Sequence, residues 1–371
     1  MRAEADFCVI GGGIAGISVA ALLSAEASVV VLESEDVIGF HSTGRSAAMY
    51  IANYGPPAIR VMTKLSGSVF ENPAGITDAP LLSPRGELIV AREDEIPDLE
   101  KYLDGSEGME RIDARAAVDL MPILNPQYIH AAAYEAGAAD INVAALFQGY
   151  AAILRRQGGE IITRARVQDM KWERGSWRVE TAIGKVSAPV VINAAGGWAD
   201  QVAMLADIDP KGIQPMRRSA ALIPPPDGHD ISRWPLVASA SEDWYCRPDA
   251  GNLMVSPADE DPVEAQDIYP DDMVLAMGIH RFENATTCKV TRVSHRWAGL
   301  RSFAPDHNPV AGFDPQHAGF FWLAGQGGYG IQTSPAMAQY AFDLLMGQTP
   351  TPDTATCNAM SPYRFSKGVE A

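Results

Sequence analysis

Residues 11–16 read Gly-Gly-Gly-Ile-Ala-Gly, and the segments around them leave few ways for the N-terminal part of this chain to fold. Phe7–Ile10 is a short apolar run that reads as a strand. From Ile14 to about Ala25, apolar residues recur at helical spacing. Val29–Leu32 is β-branched and lacks polar alternation, as expected of a strand buried on both faces of a parallel sheet. Gly11, Gly13 and Gly16 match G-x-G-x-x-G between strand and helix, and the second strand ends in an acid, Glu33. In that setting the motif reads as a dinucleotide site. Gly11 permits the tight turn. Gly13 lets the backbone approach a pyrophosphate at the helix N-terminus, where free N–H groups and the helix dipole favour negative charge. Gly16 lets helix and strand pack closely, and Glu33 accepts hydrogen bonds from a ribose diol. Ala15 and Ser34, beside these positions, are expected in the same site.

The motif alone does not choose between NAD and FAD. It lies near the N-terminus, and a second glycine-rich turn, GQGGYGIQ at 325–332, lies near the other end. A flavin nucleotide is long, and distant parts of the chain must wrap it, so this layout favours FAD.

With 371 residues the chain suffices for about two domains at roughly 150 residues each, and its 47% apolar content supports a large core. A formal charge of −17, from 29 basic and 46 acidic residues, argues against a nucleic-acid partner and reads mainly as solubility. No leader peptide and no integral membrane segment are expected. Cys8, Cys246, Cys288 and Cys357 are scattered, and the histidines lack ligand spacing. A reduced cytoplasmic protein without a metal is therefore expected, at most peripheral to a membrane.

Along the rest of the chain, 51–138 is less regular, with a strand at Leu88–Ala91. A helix is predicted from about Asn142 to Arg156, stopped by Gly158 and Gly159. Strands follow near 160–164, 167–173, 177–181 and 189–197. The stretch 216–296 reads as strands and loops, with the acidic segment 258–272 as a solvated loop. A strand at 319–325 precedes a helix with Ser334 as N-cap, Pro335 first and Gly347 as its stop. The fold class is α/β, with a Rossmann-like domain built on a parallel sheet.

Arg301 lies inside the apolar run WAGLRSF, 297–303. A guanidinium stays charged in a protein, so it must face water or meet an anion. The anion is either an internal acid, such as nearby Asp306, or a ligand.

The stretches HSTGRSAAMY (41–50), VINAAGGW (191–198), LRSF (300–303) and AGQGGYGIQTSPAM (324–337) resemble the D-amino-acid oxidase / glycine oxidase family of flavoenzymes, over almost the whole chain. The resemblance implies non-covalent FAD and two domains. The FAD-binding domain would be discontinuous, 1–83, 139–215 and 292–371. The substrate domain, 84–138 and 216–291, would be an α+β second domain whose antiparallel sheet roofs the pocket. Ser42, Thr43, Gly44, Arg45, Ser46 and Ala47 would line the flavin, with the Val167 backbone near the adenine. Gly328, Tyr329, Gly330, Ile331 and Gln332 would lie at the isoalloxazine, Gly328 and Gln332 also facing substrate.

By the same resemblance Arg301 binds the substrate α-carboxylate and forms the catalytic set with Tyr54 and Tyr245. Arg218 joins the pocket, while Arg217 alternates to the other face and is expected to be solvated. Within the family the pattern is nearest that of D-arginine dehydrogenases, in which the glutamate matching Glu87 faces the substrate guanidinium. That pattern has a polar His and Thr where this chain has Met49 and Ile51, making the wall more apolar. The implied reaction is oxidative deamination of basic, and also large apolar, D-amino acids, with oxygen or a quinone as electron acceptor. The alternative is an FAD oxidase of glycine, sarcosine or another secondary amine.

Overall fold

The strand Phe7–Ile10 is buried at all four positions because it has parallel neighbours on both sides. The computed structural model describes residues 4–365, so the first three residues of the stretch read for a leader lie outside it. Six strands form the first sheet, in the order Val310–Phe313, Phe320–Ala324, Val190–Asn193, Phe7–Ile10, Val29–Leu32, Glu160–Ile162. All pairs are parallel except the edge pair Val310–Phe313 with Phe320–Ala324. Its helices Ile14–Leu23, Val143–Arg156 and Ser334–Leu345 cover one face through Ile17, Leu146, Leu154, Met337 and Tyr340. The other face packs against Met170, Trp177 and Val179 of a three-stranded antiparallel sheet and against helix Ala199–Met204.

The second sheet is larger and antiparallel, save for Leu236–Ser239, which runs parallel to Glu87–Ala91. Phe282 on helix Asp272–Ala285 packs on one face with Leu88, Val90 and Trp244. Leu99 and Tyr102 on helix Ile96–Leu103 pack on the other with Ile89, Ala131 and Ala133. His295–Phe303, which the expected boundaries group with the nucleotide-binding part, pairs along its length with Gln214–Ile223 in this second sheet. The chain then returns to the first sheet at Val310–Phe313, so Arg301 stands where the chain passes between the two sheets. Among the described residues, no helix is long and apolar enough to cross a membrane.

Several local expectations are corrected. Segment 51–138 contains helices Pro57–Glu71, Ile96–Leu103 and Ala114–Leu120, and 216–296 contains the fourteen-residue helix Asp272–Ala285. The acidic segment 258–272 is not simply solvated. Asp259 is buried and accepts hydrogen bonds from Ser219 N–H (2.6 Å), Ser219 Oγ (2.8 Å) and Arg217 Nε (3.2 Å). Arg217 is accordingly paired, with Asp259 and Asp261, rather than free in solvent. Thr333 occupies the N-cap position of the last long helix without capping it, its hydroxyl donating to Tyr329 O at 2.8 Å, while Ser334 is inside the helix and its hydroxyl donates to Ile331 O at 2.8 Å.

Candidate functional site

The glycine turn is built by close backbone approach. Gly11 has φ +112°, and a Cβ there would fall 2.3 Å from Ala194 O. A Cβ on Gly16 would fall 2.0 Å from Gly11 O, so helix Ile14–Leu23 lies against the turn as only glycine permits. Glu33 Oε2 accepts from Gly12 N–H at 2.8 Å and its Oε1 from Glu35 N–H at 2.9 Å. Thr43 Oγ1 accepts from Ile14 N–H at 3.0 Å. The helix has no acid in its first turn, so its positive end is not neutralised from within.

A cavity of about 650 Å³ opens at this turn. Gly11, Gly13, Ala15, Glu33, Ser34 and Val167 line one part of it. Ser42, Thr43 and Gly330 also line it. The volume is within the usual range for cofactor sites, roughly 300–1,000 Å³. Ser302 Oγ and Gln326 Nε2, from two further lining residues, are buried without a hydrogen-bond partner. Orphaned polar groups of this kind call for a ligand. A cavity with glycine-cradled helix N–H groups, a fixed acid at Glu33 and unused polar groups at Ser302 and Gln326 fits FAD. Ser302 and Gln326 escape sequence reasoning, because nothing in LRSF or GQGGYG shows that their polar atoms go unpaired.

Other residues expected at the cofactor have different places. Gly16 and Gly44 pack the scaffold, the Gly44 N–H donating to Gly39 O at 2.7 Å. Arg45 is tied to Asp267 and donates to Ile268 O and Ala298 O, each at 3.1 Å. It thereby fastens the 42–47 loop to the acidic segment. Tyr329 stands behind Tyr54, ring centroids 5.0 Å apart and edge-on.

A second cavity, of about 150 Å³, continues from Ser42 and Gly330. Arg45, Ser46, Ala47, Met49, Ile331 and Gln332 line it, as do Gly328 and Arg301, which lie directly against each other. Gln332 is anchored at both ends of its amide: Oε1 accepts from Ile51 N–H at 3.2 Å and Nε2 donates to Thr63 Oγ1 at 3.0 Å. Ile51 packs behind this wall with Met49, Ala138 and Leu236, whereas Met49 reaches the cavity.

A third cavity, of about 90 Å³, shares Ala47, Tyr54, Arg218, Tyr245 and Arg301 with the second and ends at Glu87, Tyr102 and Glu242. Arg301 Nη1 donates to Tyr54 Oη at 3.2 Å. Asp306 does not pair with it but with Arg364, at 2.6 Å. Among the described residues, no ion pair with a carboxylate satisfies Arg301. Burial opposes the Arg301 charge, but Tyr54 and Tyr245 beside it outweigh that and raise its pKa. Burial raises the Tyr54 pKa. At Tyr245 the guanidiniums of Arg301 and Arg218 outweigh burial and bring the phenol below its ordinary value. Arg218 donates from Nε to Asp259 O at 2.8 Å and pairs with Glu260 at 2.7 Å.

Glu87 is 3% exposed, inside a strand buried at all five positions, so it is not an edge residue. Tyr102 Oη donates to its Oε2 at 2.9 Å. Burial, then the neighbouring Glu135, pushes the Glu87 carboxyl up to about 8. The site thus carries a free cation at one wall and a buried acid at the other. Tyr102 and Glu242 were not singled out in the sequence: one lies on a helix it did not reveal, the other in the turn before Trp244-Tyr245.

Three comparisons place the chain among known proteins. Glycine oxidase of Pseudomonas putida (strain KT2440) is 25% identical over 363 residues, 94% of this chain and 96% of that protein. The crystal structure of glycine oxidase from Geobacillus kaustophilus superposes with a TM-score of 0.85 at 19% identity, covering 100% of both chains. L-proline dehydrogenase from P.horikoshii superposes with a TM-score of 0.84 at 22% identity and 98% of each chain. The mixed α/β fold of parallel and antiparallel sheets is therefore that of these flavoenzyme structures. The profile of the FAD dependent oxidoreductases, DAO, matches residues 6–344, and with FAD as its cofactor this chain belongs to that family.

Proposed function

We propose that this protein oxidises the Cα–N bond of an α-amino acid with a cationic side chain, of D configuration as the motif resemblance implies. The carrying observation is the pocket shared by Arg301 and Glu87, one unpaired guanidinium and one buried carboxyl lining the same continuous space. FAD, when bound, supplies the acceptor for the hydride equivalent leaving Cα. The chain's own residues do the rest. Arg301 takes the carboxylate in a forked, charge-assisted pair, and the hydroxyls of Tyr54 and Tyr245 hold it in place. With both ends fixed, the Cα–H has one orientation, and such positioning can supply as much as about 7–11 kcal/mol of a barrier. The guanidiniums of Arg301 and Arg218 disfavour a second positive charge nearby, which helps the amine reach its neutral form. The imine product then adds water, giving a 2-oxo acid and ammonia.

Glu87 selects the side chain. Neutral in the empty pocket, it gives its proton to water when a guanidinium or ammonium arrives, and the resulting pair is desolvated and directional. Met49, on the wall near this pocket, admits long apolar side chains as well. The relatives named above do not include a D-arginine dehydrogenase, so the preference rests on this chain's Glu87. A second reading, oxidation of glycine, sarcosine or another secondary amine, draws on the similarity to glycine oxidase. It leaves the space from Arg301 to Glu87 without a use.

Flavin absorbance after anaerobic mixing with D-arginine, L-arginine, glycine or sarcosine tests this. Bleaching by D-arginine alone is expected. Bleaching by glycine or sarcosine and not by D-arginine sinks the basic-substrate reading and selects the other.

A further inference from the structure

We propose that Glu135 is a positioning and specificity-determining residue: it ties the segment bearing Tyr54 to the strand beside Glu87, and its negative charge governs whether Glu87 receives a cation. This deepens the reading above and rests on Glu87 facing the substrate side chain.

The geometry starts in the sheet. Glu87 and Glu135 are direct partners on adjacent antiparallel strands, Glu87–Ala91 and Ala131–Glu135. Directly opposite residues point to the same face with Cβ atoms about 5 Å apart. Both are buried, at 3% and 4% exposure, so little water screens one from the other. Like charges so placed do not both ionise readily.

The donors decide which one holds the proton. Glu135 accepts from Ala52 N–H at 3.2 Å and from Asn53 Nδ2 at 2.8 Å. Burial raises the Glu135 pKa above its ordinary value, but the hydrogen bonds from Asn53 and Ala52, and then the charge of Arg60 on helix Pro57–Glu71, work against that rise and favour the charged form. Glu87 has the Tyr102 hydroxyl, and Glu242 adds a second repelling acid from the 240–244 turn. Tyr54, Arg218, Tyr245 and Arg301 share the cavity with Glu87. The proton therefore belongs on Glu87 and the charge on Glu135.

The same bonds hold the catalytic segment. Asn53 is fixed on its other side by Glu107, donating to its O and accepting from its N–H, both at 2.9 Å. One residue beyond Tyr54, Gly55 O accepts from Arg60 Nε at 2.9 Å. Tyr54 is thus held from both sides, with Glu135 as the anchor on the sheet. Through this anchor, the acid pair that reads the substrate side chain is joined to the residue beside Arg301 at the carboxylate.

Infrared titration of the holoenzyme reads the pair directly, without substrate. The carbonyl band of protonated Glu87 is identified by its loss in Glu87→Gln. Its midpoint is expected near 8 in the wild type. In Glu135→Gln it falls by about one unit or more, since the repelling charge is gone. Asn53→Ala, which leaves the sheet intact, moves it the same way by less, because Glu135 loses a donor to its charged form. Asn53→Ala also raises KM for D-arginine and D-leucine together, through Tyr54. The pH at which KM for D-arginine drops follows the infrared midpoint in each variant, while KM for D-leucine stays level.

An unchanged Glu87 midpoint in the folded variants overturns the coupling. A moved midpoint with an unmoved D-arginine KM profile overturns the specificity role. Failure of the wild type to bind D-arginine instead overturns the functional reading, and the substrate-free titration still decides whether Glu135 governs Glu87.

Discussion

A half-buried guanidinium without a carboxylate leaves its demand for negative charge to a ligand, and Arg301 is in that position because Asp306 is taken by Arg364. Removing one partner of such a desolvated pair costs about 2–5 kcal/mol. Arg301→Ala is therefore expected to lower kcat/KM by roughly thirty- to several-thousandfold, mostly in KM, for every amino-acid substrate. Steady-state kinetics with one basic and one apolar substrate checks this, and an unchanged KM for both removes Arg301 from the carboxylate role. Glu87 differs in kind, because it meets only part of the ligand. Glu87→Leu is expected to raise KM for D-arginine by about ten- to a hundredfold, the size of a lost charge-assisted hydrogen bond, and to leave D-leucine nearly unaffected or improved. Equal losses for both substrates would show that Glu87 supports the fold and not selection. The need of Arg301 for an anion was legible in the sequence, since a fixed cation in an apolar run asks for one, whereas a role for Glu87 came only from the motif resemblance. The burial of Glu87 was not legible, because the strand before it is broken by Pro84 and Gly86, and its cover comes from a helix whose apolar positions are few.

At the scale of elements, the turn before helix Ser334–Leu345 controls the arginine. A Cβ on Gly328 would lie 2.8 Å from Arg301 Nη1, the mobile end of a long side chain. Gly328→Ala should fold, bind FAD with an unaltered visible spectrum, and raise KM about tenfold by displacing that tip, since shifts near 1 Å can cost as much as about a hundredfold. Loss of FAD from this variant would instead place Gly328 at the flavin's support. The elements legible from the sequence are those with a strong local pattern: the β-α-β unit around Gly11, the helix stopped by Gly158, and the run Val167–Glu173. Helix Pro57–Glu71 was obscured by Ser66, Gly67 and Ser68, although Ile59, Met62 and Phe70 keep a buried face. Gly67 is there because the Tyr50 hydroxyl would lie 2.8 Å from a Cβ at that position. Helix Asp272–Ala285 was hidden because Met273 and Met277 place apolar residues on its exposed side, blurring the amphipathic period. In both cases tertiary contacts, not propensity, selected the helix.

For the whole molecule, two acids, Glu87 in the second sheet and Asp314 just after a strand of the first, push stability in opposite directions along the pH scale. Asp314 is held low, to about 2, because hydrogen bonds from His317, Trp322 and Lys211 outweigh its burial. Its contribution is present above the unfolded value near 3.8 and is lost as pH falls toward 2. Glu87 behaves oppositely. Its folded value near 8 lies above the unfolded value of 4.5, so between these the unfolded chain binds fewer protons than the native one. Stability then falls as pH rises through that window and levels off above it, at about 1.4 kcal/mol for each unit of difference. The expected curve for FAD-saturated protein has its maximum near pH 4–5 as far as these two groups set it, with a decline toward 8. Glu87→Gln abolishes the decline and leaves the acid limb, because glutamine is neutral throughout and Asp314 is untouched. Thermal unfolding midpoints of wild type and Glu87→Gln, measured from pH 3 to 9, decide the matter. Parallel curves between 5 and 8 would mean that Glu87 ionises normally, and a pocket acid that ionises normally is already an anion before any cationic side chain enters. In that case selection would come from the standing charge alone, and cation binding at pH 7 would release no proton.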